Sequence, residues 1–281
     1  MGIRWVVQSN LINASDHDRM IDVCRKHGYE HESLKVTPFT DDLPDIPDDM
    51  PTVFYGGTNF INNVHLSKRW KPGAFFGDTF SYCRYYEGFG ANMLGEPTFT
   101  TLREFSSSHR EDSAQFFVRP DADLKMFAGE VMRFGDVVRW ERNLRHGVDC
   151  SKHPGLTPDT KIVVSPPYAI SHEWRLFVVG GRVSSGSHYR SKHNLDIREE
   201  LPDAVVRFAE QRTQEWSPAD VFVMDVGESA GNLYVIECNC FNSAGFYSSD
   251  VEKIMTDVSE AVIHRFQMVY SKCTCPCSSI G

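Results

Sequence analysis

The stretch Val221–Gly245, VFVMDVGESAGNLYVIECNCFNSAG, contains two apolar runs that are joined by a glycine-bearing segment, residues 227–232. The first run carries one acid, Asp225, and the second carries Glu237 and Asn239 near its end. Glycines of this kind favour a turn. Side chains two residues apart in a strand point to the same face, so Glu237 and Asn239 share a face. The pattern therefore predicts a β-hairpin that returns Glu237 alongside Asp225 and brings two carboxylates and one amide together.

Oxygen ligands on rigid strands suit a hard cation. Mg²⁺ takes one or two carboxylates and completes its octahedron with water and phosphate oxygens. A carboxylate in an apolar strand is costly unless it is paired or metal-bound, which makes Asp225 conspicuous. The small, polar continuation Cys238–Gly245 also favours a site. The alternative is an ordinary hairpin whose polar residues face water.

The composition is that of a globular protein. The chain has 281 residues, of which 41% are hydrophobic and 24% charged, enough for one large domain or two small ones. The net charge of −9 argues against nucleic acid and anionic membrane as partners. No apolar run approaches the roughly 18–20 residues of a membrane helix, and the N-terminus does not have a signal-peptide pattern. We therefore expect a cytoplasmic protein with no membrane partner.

Eight cysteines occur in the chain, and in a chain of this length they do not predict a disulfide framework. Cys273, Cys275 and Cys277 form a C-x-C-x-C pattern near the C-terminus. Zinc sites usually have C-x₂₋₄-C spacing instead. We predict a flexible, reduced tail over residues 271–281, and binding of a soft metal is the alternative.

The N-terminal part predicts a small α/β unit. Ile3–Gln8, Leu34–Phe39 and Val53–Tyr55 are predicted strands, and the apolar stripe Met20–Cys24 predicts a helix after the first of them. This order indicates a parallel sheet. Gly56-Gly57 follows the last strand without G-x-G-x-x-G spacing, so a tight turn is favoured over a ligand-binding loop.

A second hairpin is predicted around Gly180-Gly181, which two apolar strands flank. Glu173 and Arg175 lie on one face of the first strand, and Arg190 stands near the end of the second. An antiparallel return would bring Arg190 near Arg175.

Cations are dispersed through the part of the chain that carries these motifs. A polyphosphate needs a metal that bridges its oxygens and Lys or Arg side chains that neutralise its charge. The chain has no Walker motif and no kinase motif set, so a nucleotide would be held in another way. The candidate cations are Arg119, Lys125, Arg175 and Arg190.

The order of these elements resembles the ATP-grasp superfamily, from about Phe116 to a final predicted helix, Asp250–Tyr270. Phe117–Gly129, FVRP…K…G, is similar to the first phosphate-binding strand and loop of that family, and Ile162–Tyr168 to its adenine-contacting linker strand. EWRLFVVGGRV…YR is similar to the strand pair that carries the arginines. MDV…VIECN, the most specific match, contains the family's Asp…Glu-x-Asn triplet. The likeness is to a divergent, carboxylate–amine ligase-like branch that includes bacterial and phage proteins.

The resemblance implies an α/β (α+β) ATP-grasp fold, in which two α+β subdomains grip the nucleotide behind a small α/β N-terminal domain. Residues 1–110 would form the N-terminal substrate domain and residues 111–270 the ATP-grasp domain. Within the latter, residues 111–168 would bind the nucleotide and residues 169–270 would carry the metal and catalytic residues.

The resemblance also implies a role for each matching residue. Asp225 and Glu237 would hold one Mg²⁺ and Glu237 with Asn239 a second, with Mn²⁺ as a substitute. Arg175 and Arg190 would be catalytic, stabilising the γ-phosphate and the acyl-phosphate oxygens. The implied nucleotide contacts are Arg119, Lys125, Val163, Val164, Ser165, Tyr168 and Glu173, of which Glu173 would orient Arg175 or contact the ribose. The implied substrate loop contains Asn242, Ser243 and Gly245.

Two positions depart from the family pattern. Arg119 stands where many members have a phosphate-binding lysine, and the linker Ser165–Tyr168 has no acidic residue.

The implied activity is that of an ATP-dependent carboxylate–amine ligase that proceeds through an acyl phosphate and releases ADP and phosphate. Its partners would be ATP, a carboxylate and an amine, such as an amino acid, a peptide or a protein terminus. The oligomeric state is open, with a homodimer as one alternative. An ATP-dependent phosphotransferase on the same fold and a non-catalytic nucleotide-binding protein are the other functions. We expect Asp225→Asn or Glu237→Gln to abolish Mg²⁺-dependent turnover and to leave the fold stable.

Overall fold

The computed structural model describes residues 2–38, 40–122, 126–148 and 155–273. These residues form three β-sheets with helices packed around them. Lys125, Cys150, Cys275 and Cys277 lie outside the described residues, so the predictions that concern them have no structural account. Within the described ranges, no helix combines the length and apolar character needed to cross a bilayer.

The first sheet is parallel, as the strand and helix pattern of the N-terminal part predicts. Its spatial order is β2-β1-β3-β4. The strands are β1 (Arg4–Gln8), β2 (Glu30–Leu34), β3 (Thr52–Tyr55) and β4 (Pro72–Gly73). The helices of this part are α1 (Ala14–His27) and α2 (Thr58–Ser67). Gly28 ends α1 in the left-handed conformation, with φ of 67°, as the sequence predicts.

The position predicted for the second strand, Leu34–Phe39, is wrong. β2 occupies Glu30–Leu34, a run of charged and polar residues that is exposed almost throughout. It lies at the edge of the sheet and pairs through its main chain with Arg4–Gln8. An edge strand of this kind does not need a buried apolar face, so the hydrophobic pattern did not mark it.

Gly56 is required by a close contact between α2 and β1. A Cβ atom at this position would lie 2.5 Å from Gln8 Oε1 and 2.9 Å from Phe60 Cδ1. The neighbouring Gly57 N–H donates to Gln8 Oε1 at 2.8 Å and opens α2. The turn therefore packs against the protein's own side chains, in line with the tight-turn interpretation.

Gly56→Ala is expected to lower the free energy of unfolding by about 1–3 kcal/mol, because overpacking moves Gln8 and Phe60. Gly57→Ala is the matched control, since its Cβ would meet Gln8 Oε1 only at 3.6 Å and its φ of −64° suits any residue. Urea denaturation of both variants measures the difference. Equal losses in the two variants would contradict this account.

The second sheet is antiparallel, in the order β5-β8-β6-β7. Its strands are β5 (Thr98–Thr101), β6 (Gln115–Pro120), β7 (Glu130–Arg133) and β8 (Lys161–Ser165). Helix α3 (Tyr82–Phe89) precedes it, and α4 (Leu102–Ser106) and α5 (Phe134–Arg145) pack on it around Phe105 and Val137. Because β5 pairs with β8, this sheet begins before residue 110, and we propose that the domain boundary lies ahead of Thr98.

The third sheet is antiparallel, in the order β11-β10-β9-β12-β13. Its strands are β9 (His172–Val179), β10 (Arg182–Ser191), β11 (Asn194–Arg198), β12 (Val221–Ser229) and β13 (Asn232–Cys240). The accompanying helices are α6 (Asp203–Glu215) and α7 (Val251–Cys273). Because α7 runs to Cys273, the first residues of the predicted 271–281 tail are helical.

Both predicted hairpins are present in the third sheet. Gly180 and Gly181 connect β9 to β10 with φ of 57° and 80°, the left-handed values of a two-residue hairpin turn. The β12–β13 turn is shorter than the predicted segment 227–232. It consists of Ala230 and Gly231, with φ of 50° and 78°, because β12 continues through Gly227 to Ser229.

The two faces of the third sheet pack against different parts of the protein. One face carries Phe177 and Val223 and shares a core with Trp5 of the first sheet and with α7. The other face carries Trp174 and Met224 and packs on α3 and α6. The predicted core role of the aromatic segment is confirmed for α3. Residues 173, 175 and 225 lie on the face of Phe177 and Val223, so the site faces the N-terminal sheet.

Candidate functional site

The β12–β13 hairpin brings the predicted triplet together. Asp225 lies opposite Glu237 in the strand register. The Asn239 Nδ2 group donates to Asp225 Oδ2 at 3.3 Å and to Glu237 Oε1 at 3.2 Å. Since a one-residue shift would turn these side chains to the opposite face, the register itself assembles the cluster.

Asp225 is fully buried and forms a bidentate ion pair with Arg175 of the neighbouring strand. Arg175 Nε and Nη2 donate to the two carboxylate oxygens at 2.9 and 2.7 Å. Burial raises the pKa of the Asp225 carboxyl, and the Arg175 guanidinium opposes that rise. Burial disfavours the charged guanidinium as well, but attraction and hydrogen bonding from Asp225 raise the pKa of Arg175 above its usual value. The pair therefore remains ionised at neutral pH.

Glu237 is held from the second sheet. Arg119 Nη1 on β6 lies 2.8 Å from Glu237 Oε2, and the two side chains are 15% and 25% exposed. The Arg119 guanidinium also lies over the Tyr82 ring of α3, 4.8 Å from its centroid. Burial raises the pKa of Tyr82 to about 12, against the opposing effect of Arg119. The ion pair thus joins the nucleotide-side sheet to the triplet.

Glu173 does not contact Arg175, contrary to one of the two roles expected for it. It is 4% exposed, accepts a 2.6 Å hydrogen bond from the Tyr189 hydroxyl, and lies 3.5 Å from Arg190 Nη1. A β-bulge between His188 and Arg190 puts Arg190 opposite Glu173 in the register. The bulge is the physical reason for the changed partner, because an added residue re-aims the side chains that follow it.

Tyr189 and Tyr247 belong to the cluster and were not found from the sequence. Their rings stack at 5.1 Å with an interplanar angle of 7°. The Arg175 guanidinium lies 5.5 Å from the centroid of Tyr189 and 5.0 Å from that of Tyr247. Each tyrosine stands next to a segment that the sequence did mark, but an adjacent position does not reveal a stacked pair from two distant segments.

The predicted linker strand is β8, and its central valines are built into the sheet. Val163 and Val164 are each 3% exposed and pair with β5 on one side and β6 on the other. Their main-chain groups are therefore used by the sheet ladder, which disagrees with the expected adenine contact. Ser165 pairs with β6 beyond the end of β5, and Tyr168 is half-exposed against Gly95. Contacts of Ser165 and Tyr168 with a nucleotide remain predictions.

Asn242, expected in the substrate loop, is fully buried and engaged by the N-terminal part. Its Nδ2 donates to the Phe54 carbonyl at 2.6 Å, and its Oδ1 accepts from the Phe75 N–H at 2.8 Å. Its own carbonyl accepts from the Gly56 N–H at 2.8 Å. Asn242 therefore fastens the end of the hairpin to the first sheet. Ser243 is half-buried and Gly245 is exposed, so their predicted substrate role is sterically open.

The donor set fits a hard divalent cation. In the described part of the chain there is no cluster of three His, Cys, Asp or Glu, so a cage made of protein ligands alone is absent there. Asp225, Glu237 and Asn239 instead offer two carboxylates and an amide, the partial set that Mg²⁺ completes with water and phosphate. Arg119 and Arg175 balance the two negative charges in the present arrangement.

Solved structures with the same architecture include ATP-grasp ligases. The chain is similar to D-alanine–D-alanine ligase from Bacillus anthracis in complex with ATP, with a TM-score of 0.60, 13% identity, and coverage of 96% of this chain and 99% of that one. It is similar to the ATP-grasp ligase PsnB in complex with a minimal precursor, with a TM-score of 0.56, 12% identity, and coverage of 93% and 99%.

A RimK domain protein from Sphaerobacter thermophilus gives a TM-score of 0.57 at 10% identity, with coverage of 92% and 97%. No curated protein sequence matches the chain. At these identities the likeness establishes the fold, which is the ATP-grasp fold.

The sequence model of one family covers more than half of the chain. That family is described as an ATP-grasp domain, the third family of its clade, and the match extends over residues 64–258. It includes all the residues of the cluster described above. The chain therefore belongs to this family of ATP-grasp domains.

Proposed function

We propose that this protein is an ATP-dependent ligase that joins a carboxylate to an amine through an acyl phosphate and releases ADP and phosphate. One observation carries the proposal. Two carboxylates, one amide and two guanidinium groups from neighbouring strands converge within hydrogen-bonding distance of one another. An assembly of opposite charges that can exchange partners is what binding of a metal–polyphosphate complex requires.

The carboxylates would bind the metal that accompanies ATP. Mg²⁺ held by Asp225, Glu237 and Asn239 would offset the negative charge of the phosphates. Two ions sharing Glu237, and substitution by Mn²⁺, are part of the proposal. Glu237 is the more accessible of the two carboxylates, with 25% of its side chain exposed against 1% for Asp225.

The guanidinium groups would contact the nucleotide and the reacting oxygens. Arg119 enters from β6, on the sheet assigned to the nucleotide, and would contact a phosphate group. Arg175 and Arg190 would stabilise charge on the transferred phosphoryl group and on the oxyanion formed when the amine attacks. Arg190 is 44% exposed, so it can reach a ligand, whereas Arg175 is held in place by Asp225.

For the substrates we propose an amino acid or peptide carboxylate and an amine of the same class. Two proteins of similar structure support this class: PsnB was solved with a precursor peptide, and the other enzyme is a D-alanine–D-alanine ligase. In this chain the exposed Gly245 and half-buried Ser243 lie between the cluster and the first sheet, which would supply the substrate side. A cytoplasmic location agrees with the presence of ATP and with the net charge of −9.

Glu237→Gln is expected to abolish the Mg²⁺-dependent rise in melting temperature that a non-hydrolysable ATP analogue gives in the wild type. The amide keeps the shape of the side chain but removes the charge that binds the metal. Thermal unfolding with the analogue, with and without Mg²⁺, measures the effect. Glu260→Gln is the matched control, because it makes the same change on an exposed position of α7 and should retain the shift.

A Mg²⁺-dependent shift of equal size in Glu237→Gln would remove Glu237 from the metal site. A wild-type protein that gives no shift would contradict nucleotide binding altogether.

Product analysis separates the ligase from a phosphotransferase on the same fold. Wild-type protein incubated with ATP, Mg²⁺ and a mixture of amino acids and peptides should release ADP and give a new amide, identified by its mass. A phosphoester product would instead establish the phosphotransferase.

A further inference from the structure

Tyr247 lies in a segment whose main chain is anchored to the N-terminal helix α1. The Phe246 N–H donates to Asp16 Oδ2 at 3.2 Å, and Arg19 Nη1 donates to the Tyr247 carbonyl at 2.9 Å. Arg19 also donates through Nη2 to the Ser249 carbonyl. These bonds hold the chain on both sides of the Tyr247 side chain.

Core packing anchors the same segment. Phe246 is fully buried, and its ring stacks on Tyr55 at 5.2 Å and on Phe177 at 5.1 Å. The Tyr55 hydroxyl donates to the Ala244 carbonyl. The segment therefore has little freedom to shift unless the core between the first and third sheets moves with it.

Tyr247 adopts a backbone conformation that tyrosine disfavours. Its φ is 50°, in the left-handed region where a bulky side chain is an outlier. Such conformations persist where the surroundings over-determine them, and they are concentrated at functional sites. The consequence here is that the ring points away from the anchored main chain and against Tyr189 and Arg175.

The ring completes the immobilisation of Arg175. Asp225 binds one edge of the guanidinium through two hydrogen bonds, and the Gly245 carbonyl lies 3.5 Å from Nη1. Neither contact fixes the tilt of the guanidinium plane. The faces of Tyr247 and Tyr189, at 5.0 and 5.5 Å, do so, because a planar cation prefers to lie over an aromatic face.

We propose that Tyr247 is a positioning residue that orients Arg175 toward the γ-phosphate of ATP. The inference rests on the proposed function and deepens it, since it makes the anchored segment 244–249 the part of the protein that sets the geometry of this arginine. The aromatic face is the working part. The Tyr247 hydroxyl is not required.

The test compares how strongly each protein prefers a non-hydrolysable ATP analogue over ADP, both with Mg²⁺, by isothermal titration calorimetry. This preference reports the γ-phosphate contact alone. Tyr247→Phe keeps the aromatic face and should retain the wild-type preference. Tyr247→Gly should lower it by about tenfold, with the affinity for ADP unchanged.

Glycine is the informative substitution because of the left-handed backbone. It removes the ring and also relieves the disfavoured φ, so the melting temperature of Tyr247→Gly should equal or exceed that of the wild type. Loss of the preference in a variant that is no less stable cannot be attributed to unfolding.

Three results would overturn the inference. Tyr247→Gly could keep the full preference, which would leave nucleotide binding intact and remove Tyr247 from it. Tyr247→Gly could lose ADP affinity and melting temperature together, which would make the role structural. A wild type that binds neither nucleotide would contradict the proposed function itself, and that result is recognised before any variant is measured.

Discussion

Asp225→Asn is expected to lower the free energy of unfolding by about 3–5 kcal/mol, because it leaves the buried Arg175 guanidinium without its counter-charge. The two side chains are 1% and 11% exposed, so water cannot replace the lost carboxylate. This corrects the expectation that the substitution leaves the fold stable. Urea denaturation followed by circular dichroism measures the loss. The same variant should lose the Mg²⁺-dependent shift with the ATP analogue.

Asp159→Asn is the control for this prediction. Asp159 forms a bidentate pair with Arg103 at 2.8 and 3.1 Å, so the broken geometry is matched. Both partners are well exposed, and water compensates for their separation. We expect little change in stability, and equal losses in the two variants would show that burial is not the cause.

Arg175→Lys is expected to lower the rate of ADP release by about 10²–10³-fold, the loss typical of removing one transition-state donor. Lysine keeps the positive charge beside Asp225 and so limits damage to the fold. It cannot form the bidentate pair or lie flat against Tyr189 and Tyr247. The measurement is steady-state ADP release under conditions where the wild type turns over.

Arg182→Lys tests whether any arginine on the β9–β10 hairpin is equally sensitive. Arg182 is exposed at the start of β10, and its replacement should leave the rate unchanged. A wild-type rate in Arg175→Lys would show that Arg175 does not act on the reacting phosphate.

The hairpins and the metal-type triplet could be predicted because the information is local. Alternation in the two apolar runs specifies which side chains share a face, and glycine marks the turns. Asp225, Glu237 and Asn239 meet within one hairpin, so no distant pairing had to be known. The same reasoning found the Gly180-Gly181 hairpin.

The failures share a cause in non-local structure. β2 was missed because an edge strand is held by its main chain and needs no apolar pattern. Asn242 looked like a loop residue, but Phe54 and Phe75, far away in the sequence, satisfy its amide. A carboxamide with two distant main-chain partners carries no mark in its own neighbourhood.

Local alternation and turn chemistry were thus enough to specify the strands, the hairpins and the acidic triplet. Which cation neutralises which carboxylate depended on packing between separate segments. Arg119 reaches Glu237 from another sheet, a bulge gives Arg190 rather than Arg175 to Glu173, and α1 presents Tyr247 to Arg175. A long cationic side chain can reach many acids, and only the register, bulges and buried contacts of the folded chain select one.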